Sequence, residues 1–249
     1  MIKALRRLLV IFTLVSLYGT SGMARADELV VPLYQATYSI GRNDFRIGDA
    51  SFSLTQNQDG TYTYTSVSKA AGLVSLFVSD VVTETSRFKV MDGELQSLQY
   101  TYEHTGNDKD KKENIRFDWD KHVAHSNEGG KQHTLPLTAG TYDRLLAQLA
   151  VSVNLEAGKT VGEYRVLDHN EISIYHMQPQ GDTDLKTPAG EYKVIEMARK
   201  DPKKNRVTTF WLAPKLDYLP VQMQQTEPGR ATISLVLTDI TFGTSRAGK

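Results

Sequence analysis

The sequence predicts a mainly β protein: an antiparallel sheet curved into a partly open barrel or sandwich, with one helix, at about 141–155, packed on or across it. Three observations carry this expectation. Short segments alternate apolar and polar residues with the period of two that a half-buried strand requires. Glycine-containing turn dipeptides separate many of them at hairpin spacing, which does not suit alternating strand–helix units. A single later segment instead repeats its apolar residues at helical spacing. The chain has 249 residues, 40% hydrophobic and 23% charged. That length is enough to bury a core without a metal or disulfide staple.

Lys3, Arg6 and Arg7 precede an apolar run at 8–17, and Ala24-Arg25-Ala26 forms a small-x-small cleavage box. This order predicts a secretory signal peptide over 1–26, with an apolar run too short to span a membrane. A single β-rich domain over 27–249 is expected to follow. Cleavage after Ala26 removes Lys3, Arg6, Arg7 and Arg25 and no acidic residue, leaving 25 of 29 basic residues against 29 acidic ones, net −4. No second long apolar run follows, so no transmembrane span is expected in the mature chain.

Tyr34, Ala36, Tyr38 and Ile40 form the apolar face of a first strand, and Phe52 and Leu54 that of a second. Asp59-Gly60 turns this strand into Thr61-Tyr62-Thr63-Tyr64-Thr65, whose β-branched and aromatic side chains suit a pleated surface. Val82, Glu84, Ser86, Phe88 and Val90 share a face, and Asp92-Gly93 turns that strand into the next, at 95–104. A charged loop at 106–112 separates it from a strand at 114–119. Further strands are expected at 164–167, 172–178, 192–199, 207–212, 221–225 and 232–242. Gly129-Gly130, Pro188-Ala189-Gly190 and Pro228-Gly229 mark turns.

Two segments differ. In 141–155, Leu145, Leu146, Leu149 and Val153 make a helical stripe, with Thr141 as its N-cap, Asp143 near its positive dipole end and Ala157-Gly158 as its stop. The run 70–78, AAGLVSLFV, is too short to assign by periodicity. It is either a buried plug or an exposed apolar lip in which Leu73, Leu76 and Phe77 touch a ligand or partner.

Composition excludes several chemistries. The absence of cysteine removes disulfides, iron–sulfur clusters, a cysteine nucleophile and an acylated N-terminal cysteine, so no lipid anchor is expected. No cofactor or metal is expected, because His122 and His125 are three apart in a strand-and-turn context and would point to opposite faces. His104, His133, His169 and His176 show no partner in the sequence. The S-x-x-K matches at Ser66–Lys69 and Ser86–Lys89 lack every companion motif of a serine nucleophile. No carboxylate pair stands in an apolar context that would separate two pKa values. Arg199, Lys200, Lys203, Lys204 and Arg206 form a local basic turn, which keeps an edge soluble or meets anionic headgroups. It lacks the stacking aromatics of a nucleic-acid groove, and nucleic acid is not an expected partner.

Thr187-Pro188-Ala189-Gly190-Glu191-Tyr192, Phe210-Trp211-Leu212-Ala213-Pro214 and Tyr218-Leu219-Pro220-Val221 follow one another in the last third. With Tyr38 and Gly41, Gly72-Leu73, Ser86-Arg87-Phe88 and Asp92-Gly93-Glu94-Leu95, this series resembles the DUF3108 family of exported bacterial proteins across Tyr34 to Phe242. The motif physics is structural: Gly190 permits a tight turn, and Trp211 and Tyr218 are core or rim aromatics. The resemblance implies fold and compartment, not an activity. The expected function is therefore a periplasmic, non-enzymatic binding protein that carries a lipid or other apolar ligand, with Leu73, Leu76, Phe77 and Trp211 as contact residues. An envelope scaffold that holds a partner protein, and a two-carboxylate polysaccharide hydrolase, stand as the alternatives.

Overall fold

The computed structural model describes residues 29–43, 45–106, 110–201 and 205–243. The signal segment, including Ala24 and Ala26, lies outside the described residues, as do Lys203 and Lys204.

Among the described residues, fifteen strands form one sheet. In chain order they are β1 Tyr34–Arg42, β2 Phe45–Gln56, β3 Tyr62–Ala70, β4 Val81–Met91, β5 Glu94–Thr105, β6 Lys111–Asp118, β7 Val123–Glu128 and β8 Lys131–Pro136. Then come β9 Thr141–Asp143, helix α1 Arg144–Glu156, β10 Glu163–Asp168, β11 Glu171–Thr187, β12 Gly190–Asp201, β13 Arg206–Ala213, β14 Leu219–Thr226 and β15 Ile233–Phe242. The spatial order runs β8 back to β1, then β15 back to β9. All but one of the pairs are antiparallel; β9 and β10 run parallel. Edge strands β8 and β9 do not pair, so the curved sheet stays open, as expected for a partly open barrel.

Hairpin turns fall where glycine was read. Gly60 and Gly93 both adopt positive φ, 79° and 73°, which tight turns require and side chains resist. The apolar faces of the strands meet in one core: Tyr34, Ala36 and Tyr38 of β1, Phe52 and Leu54 of β2, Phe88 of β4, Ile115 and Phe117 of β6 are all buried. Phe88 stacks on Tyr62 with ring centroids 5.3 Å apart.

Helix α1 is buried on most of its circumference, Leu145, Leu146, Ala147, Leu149, Ala150, Val151, Ser152 and Val153 all being covered. A helix apolar on nearly all sides belongs inside a fold, and Ser152 Oγ donates to the Tyr218 carbonyl at 2.8 Å. The cap differs from expectation. Thr141 lies in β9, and Asp143 is the N-cap, its carboxylate accepting from the Leu145 and Leu146 amides at 3.1 and 2.8 Å. A carboxylate capping two orphan amides is worth more at this position than a threonine two residues earlier.

The plug reading of 70–78 is overturned. Gly72–Leu76 is a 3₁₀ turn with no buried residue. Leu73, Leu76 and Phe77 are 80%, 73% and 80% exposed. The strands β7 and β8 were not singled out from sequence, and β11 continues to Thr187 through a register shift between Pro179 and Gly181. Among the described residues, no helix is long and apolar enough to cross a membrane.

Candidate ligand-binding cavity

Between α1 and the sheet lies a partly open cavity of about 350 Å³, near the lower end of the roughly 300–1,000 Å³ typical of ligand sites. Nine strands and the helix contribute to its wall. Phe52, Leu145, Val151, Phe210, Leu212 and Met223 supply apolar surface, and Ser66, Ser68, Gln148, Thr208 and Gln225 supply polar points. The charged lining residues are Glu84, Arg144 and Arg199.

Strand register fixes which part of the wall is the rim. Met177 pairs with Arg199, Arg199 with Thr208, Thr208 with Gln225, Gln225 and Arg42 with Ile233, and Arg42 with Phe45. This row runs across seven strands and, except in β11, lies close to their ends on one side of the sheet. Gly72–Leu76 leaves β3 at the same side, since Ala70 pairs with Gly48, three residues from Phe45. Phe45 itself is exposed. An apolar tip therefore stands beside the rim, while Val151 of α1 and Pro220 of β14 lie deeper in the wall.

The two arginines on the wall are in different electrostatic states. Arg144 opens α1, its Nε donating to Glu84 Oε2 at 2.8 Å and its Nη1 to Asp168 Oδ1 at 3.1 Å. Its guanidinium also lies over the rings of Tyr100 and Tyr102, 5.4 and 4.7 Å from their centroids. Burial opposes its charge, but Glu84, Tyr100 and Asp168 together outweigh this and push its pKa up. Tyr100 donates to Glu84 at 2.7 Å, and burial first, then the Glu84 charge, raises its phenol pKa. Both the Arg144 and the Tyr100 bonds fall on Glu84 Oε2.

Arg199 has no such partner: among the described residues no carboxylate forms an ion pair with it, and its buried Nε has no hydrogen-bond acceptor. Its Nη2 reaches Thr208 Oγ1 at 3.4 Å, and its guanidinium stacks 4.1 Å from the Tyr175 ring centroid. Sequence reading placed Arg199 in a basic surface turn with Lys200 and Arg206. The β12 pleat instead turns it to the cavity, while Arg206 pairs with Asp201.

Two further carboxylates are buried singly, where the sequence marked out no carboxylate pair. Asp143 is fully buried, and besides its capping bonds it accepts from Ser86 Oγ and Ser97 Oγ at 2.6 and 2.8 Å. Burial raises its pKa against the pull of these donors. The bond also gives Ser86 a structural role within its S-x-x-K match. Glu113 is 3% exposed, with neither carboxylate oxygen hydrogen-bonded. Burial raises its pKa, while His169, 4.0 Å away, and Arg144 oppose the rise and Asp168 and Glu128 add to it. The histidines are also better partnered than the sequence suggested: His104 meets Asp80 at 2.8 Å, His169 meets Glu128 at 3.3 Å and His176 meets Glu163 at 3.2 Å.

Among the described residues, Glu84 is the one carboxylate on the cavity wall, and no second carboxylate there pairs with it as an acid–base partner. Among the described residues, no cluster of three His, Asp or Glu side chains is arranged to hold a metal ion. Of the contact residues expected from sequence, Leu73, Leu76 and Phe77 stand outside the cavity on the apolar tip. Trp211 lies between Phe210 and Leu212, which line the cavity, and is itself absent from the wall.

Comparison with known proteins supports this architecture. A β-barrel-like protein of the DUF1849 family from Brucella abortus matches with a TM-score of 0.55 at 12% identity, covering 86% of this chain and 99% of that one. That likeness shows the fold. A Bacteroides fragilis protein described as exported, with a YmcC-like fold, matches at a TM-score of 0.36 and 10% identity over 84% of this chain and 95% of its own. A Parabacteroides distasonis protein described as a lipoprotein matches at 0.32 and 9% identity, over 86% and 97%. Comparison with curated proteins yields no match. The model of a protein family of unknown function, DUF3108, matches residues 33–236, and the chain belongs to that family.

Proposed function

We propose that this is a non-enzymatic binding protein of the bacterial envelope, exported to the periplasm, which holds an apolar or amphiphilic molecule between α1 and the sheet. The observation that carries this reading is the cavity itself, with a predominantly apolar wall and a rim at the strand ends. Such a pocket with a few convergent polar groups is the usual form of a small-molecule site. The non-enzymatic part rests on chemistry: acid–base catalysis needs a placed pair, and Glu84 is bound up with Arg144 and Tyr100. The basic n-region and cleavage box favour export.

The test is binding of the fluorescent apolar probe N-phenyl-1-naphthylamine to the mature chain, alongside Ala147→Phe. Ala147 lies on the cavity wall, and a phenyl group there fills the space. Saturable binding that is lost in a folded Ala147→Phe protein is expected. Equal binding by both proteins, or none by the wild type, overturns the reading.

A second reading rests on a separate observation. Leu73, Leu76 and Phe77, with Phe45 at the same side of the sheet, expose apolar surface that has no use in a free monomer. This tip serves as a contact with an envelope partner beside the cavity rim.

A further inference from the structure

We infer that the cavity selects an amphiphile with one anionic head group, and that Arg199 receives that head at the rim while the apolar chain lies deeper along α1. This rests on the cavity being a ligand site. The argument begins with charge. A guanidinium partly withdrawn from water is costly unless its charge is paired. Arg144 meets that cost with Glu84 and Asp168. Arg199 does not: its Nε is buried without an acceptor, and among the described residues no carboxylate pairs with it. The Tyr175 ring holds one face of the group, 4.1 Å away, and Thr208 holds one end. The guanidinium is thus fixed in direction with donor capacity left over. A planar fork of donors suits the oxygen pair of a carboxylate or phosphate.

Geometry supplies the second half. Arg199, Thr208 and Gln225 lie in one register row near the strand ends, so polar donors gather at the rim. The wall beyond them, toward Phe52, Val151 and Leu212, is mainly apolar, with Ser66, Gln148 and the paired Glu84 and Arg144 as its polar points. Glu84, the cavity's one acidic group, does not repel the head as a free charge would, because Arg144 neutralises it. A cation would meet the like charge of Arg199, and a neutral alcohol would bring it no counter-charge.

The experiment is isothermal titration calorimetry of the mature chain with dodecanoate, dodecyl phosphate, dodecanol and dodecyltrimethylammonium, each below its micellar concentration. At least one anion is expected to bind about tenfold or more tightly than dodecanol, the effect of a single charge-assisted hydrogen bond. Whichever anion is tighter identifies the head as carboxylate or phosphate. Arg199→Gln should bring the anions to the level of dodecanol and leave dodecanol unchanged. Arg199→Lys, which keeps the charge but loses the fork, should fall between. Equal binding of anion and alcohol, tighter binding of the cation, or no change in a folded Arg199→Gln protein overturns this inference and leaves the cavity reading intact. Failure of all four compounds to bind overturns both. Should Arg199→Gln not fold, the four-compound series on the wild type still decides.

Discussion

Replacing Asp143 by alanine tests how the helix is fixed inside the sheet. Its Oδ1 accepts the Leu145 and Leu146 amides, and its Oδ2 accepts the Ser86 and Ser97 hydroxyls, all at 2.6–3.1 Å. Loss of the cap costs about 1 kcal/mol. The two serine hydroxyls are themselves fully buried, and leaving each without its acceptor costs about 1–3 kcal/mol. Burial also raises the Asp143 pKa, so removing the carboxylate relieves some desolvation and returns part of that loss. The net expectation is a loss of about 3 kcal/mol, which for a domain of this size lowers Tm by about 6–12 °C. Asp143→Asn keeps an oxygen for the two amides, while its Nδ2 can only donate to the serine oxygens and leaves their hydroxyl protons without this acceptor, so about half the loss is expected. Thermal and urea unfolding followed by circular dichroism measure both variants. A loss below about 1 kcal/mol for alanine, or equal losses for alanine and asparagine, would refute the reasoning that one carboxylate joins α1 to β4 and β5.

Glu113 titrates against the fold. Its raised pKa means that its stabilising contribution is full below the ordinary value of 4.5 and is lost as pH rises through the folded value. The wild type should therefore lose Tm from about pH 4.5 upward relative to Glu113→Gln, and identical pH slopes for the two proteins count against this. Leu76→Ser with Phe77→Ser, at exposed sites, should shift stability by no more than about 0.5 kcal/mol each in denaturant titrations; a larger loss would mean that the tip packs on the core. Gly48→Ala would place a methyl carbon 2.5 Å from the Lys69 carbonyl across the β2–β3 ladder. A cost of about 1–3 kcal/mol is expected, and a neutral result in urea unfolding would show that the two strands part easily there.

Where burial follows local periodicity, the sequence was a sufficient guide. Tyr34, Ala36 and Tyr38 alternate and are buried, and the Asp59-Gly60 and Asp92-Gly93 turns close their hairpins. Strands β7 and β8, at one end of the sheet, show no clear apolar face in sequence because VAHSNE and KQHTLP are too polar. Strand β11 runs beyond the 172–178 expected from sequence, because the chain accommodates Pro179 and Gly181 with a bulge. The cavity was beyond local reading, since its wall is assembled from nine strands and a helix. Arg199 resembled its basic neighbours, and only the pairing of β12 with β13 turns it inward. Glu113 did leave a signal: it stands two and four residues before the buried Ile115 and Phe117, on the same face.

The strand order has a consequence for how the chain reaches this state. From β1 to β8, and again from β10 to β15, each strand pairs with its sequence neighbour, so either half can zip up hairpin by hairpin. One pairing does not follow this rule: β1 with β15, where Thr37 meets Thr238 across 201 residues. Closing a loop of that length comes late and sets the pace. Until β15 arrives, the first half exposes β1 as an open edge able to pair with another chain. The last strand to be made thus both seals that edge and brings the two halves together around the helix.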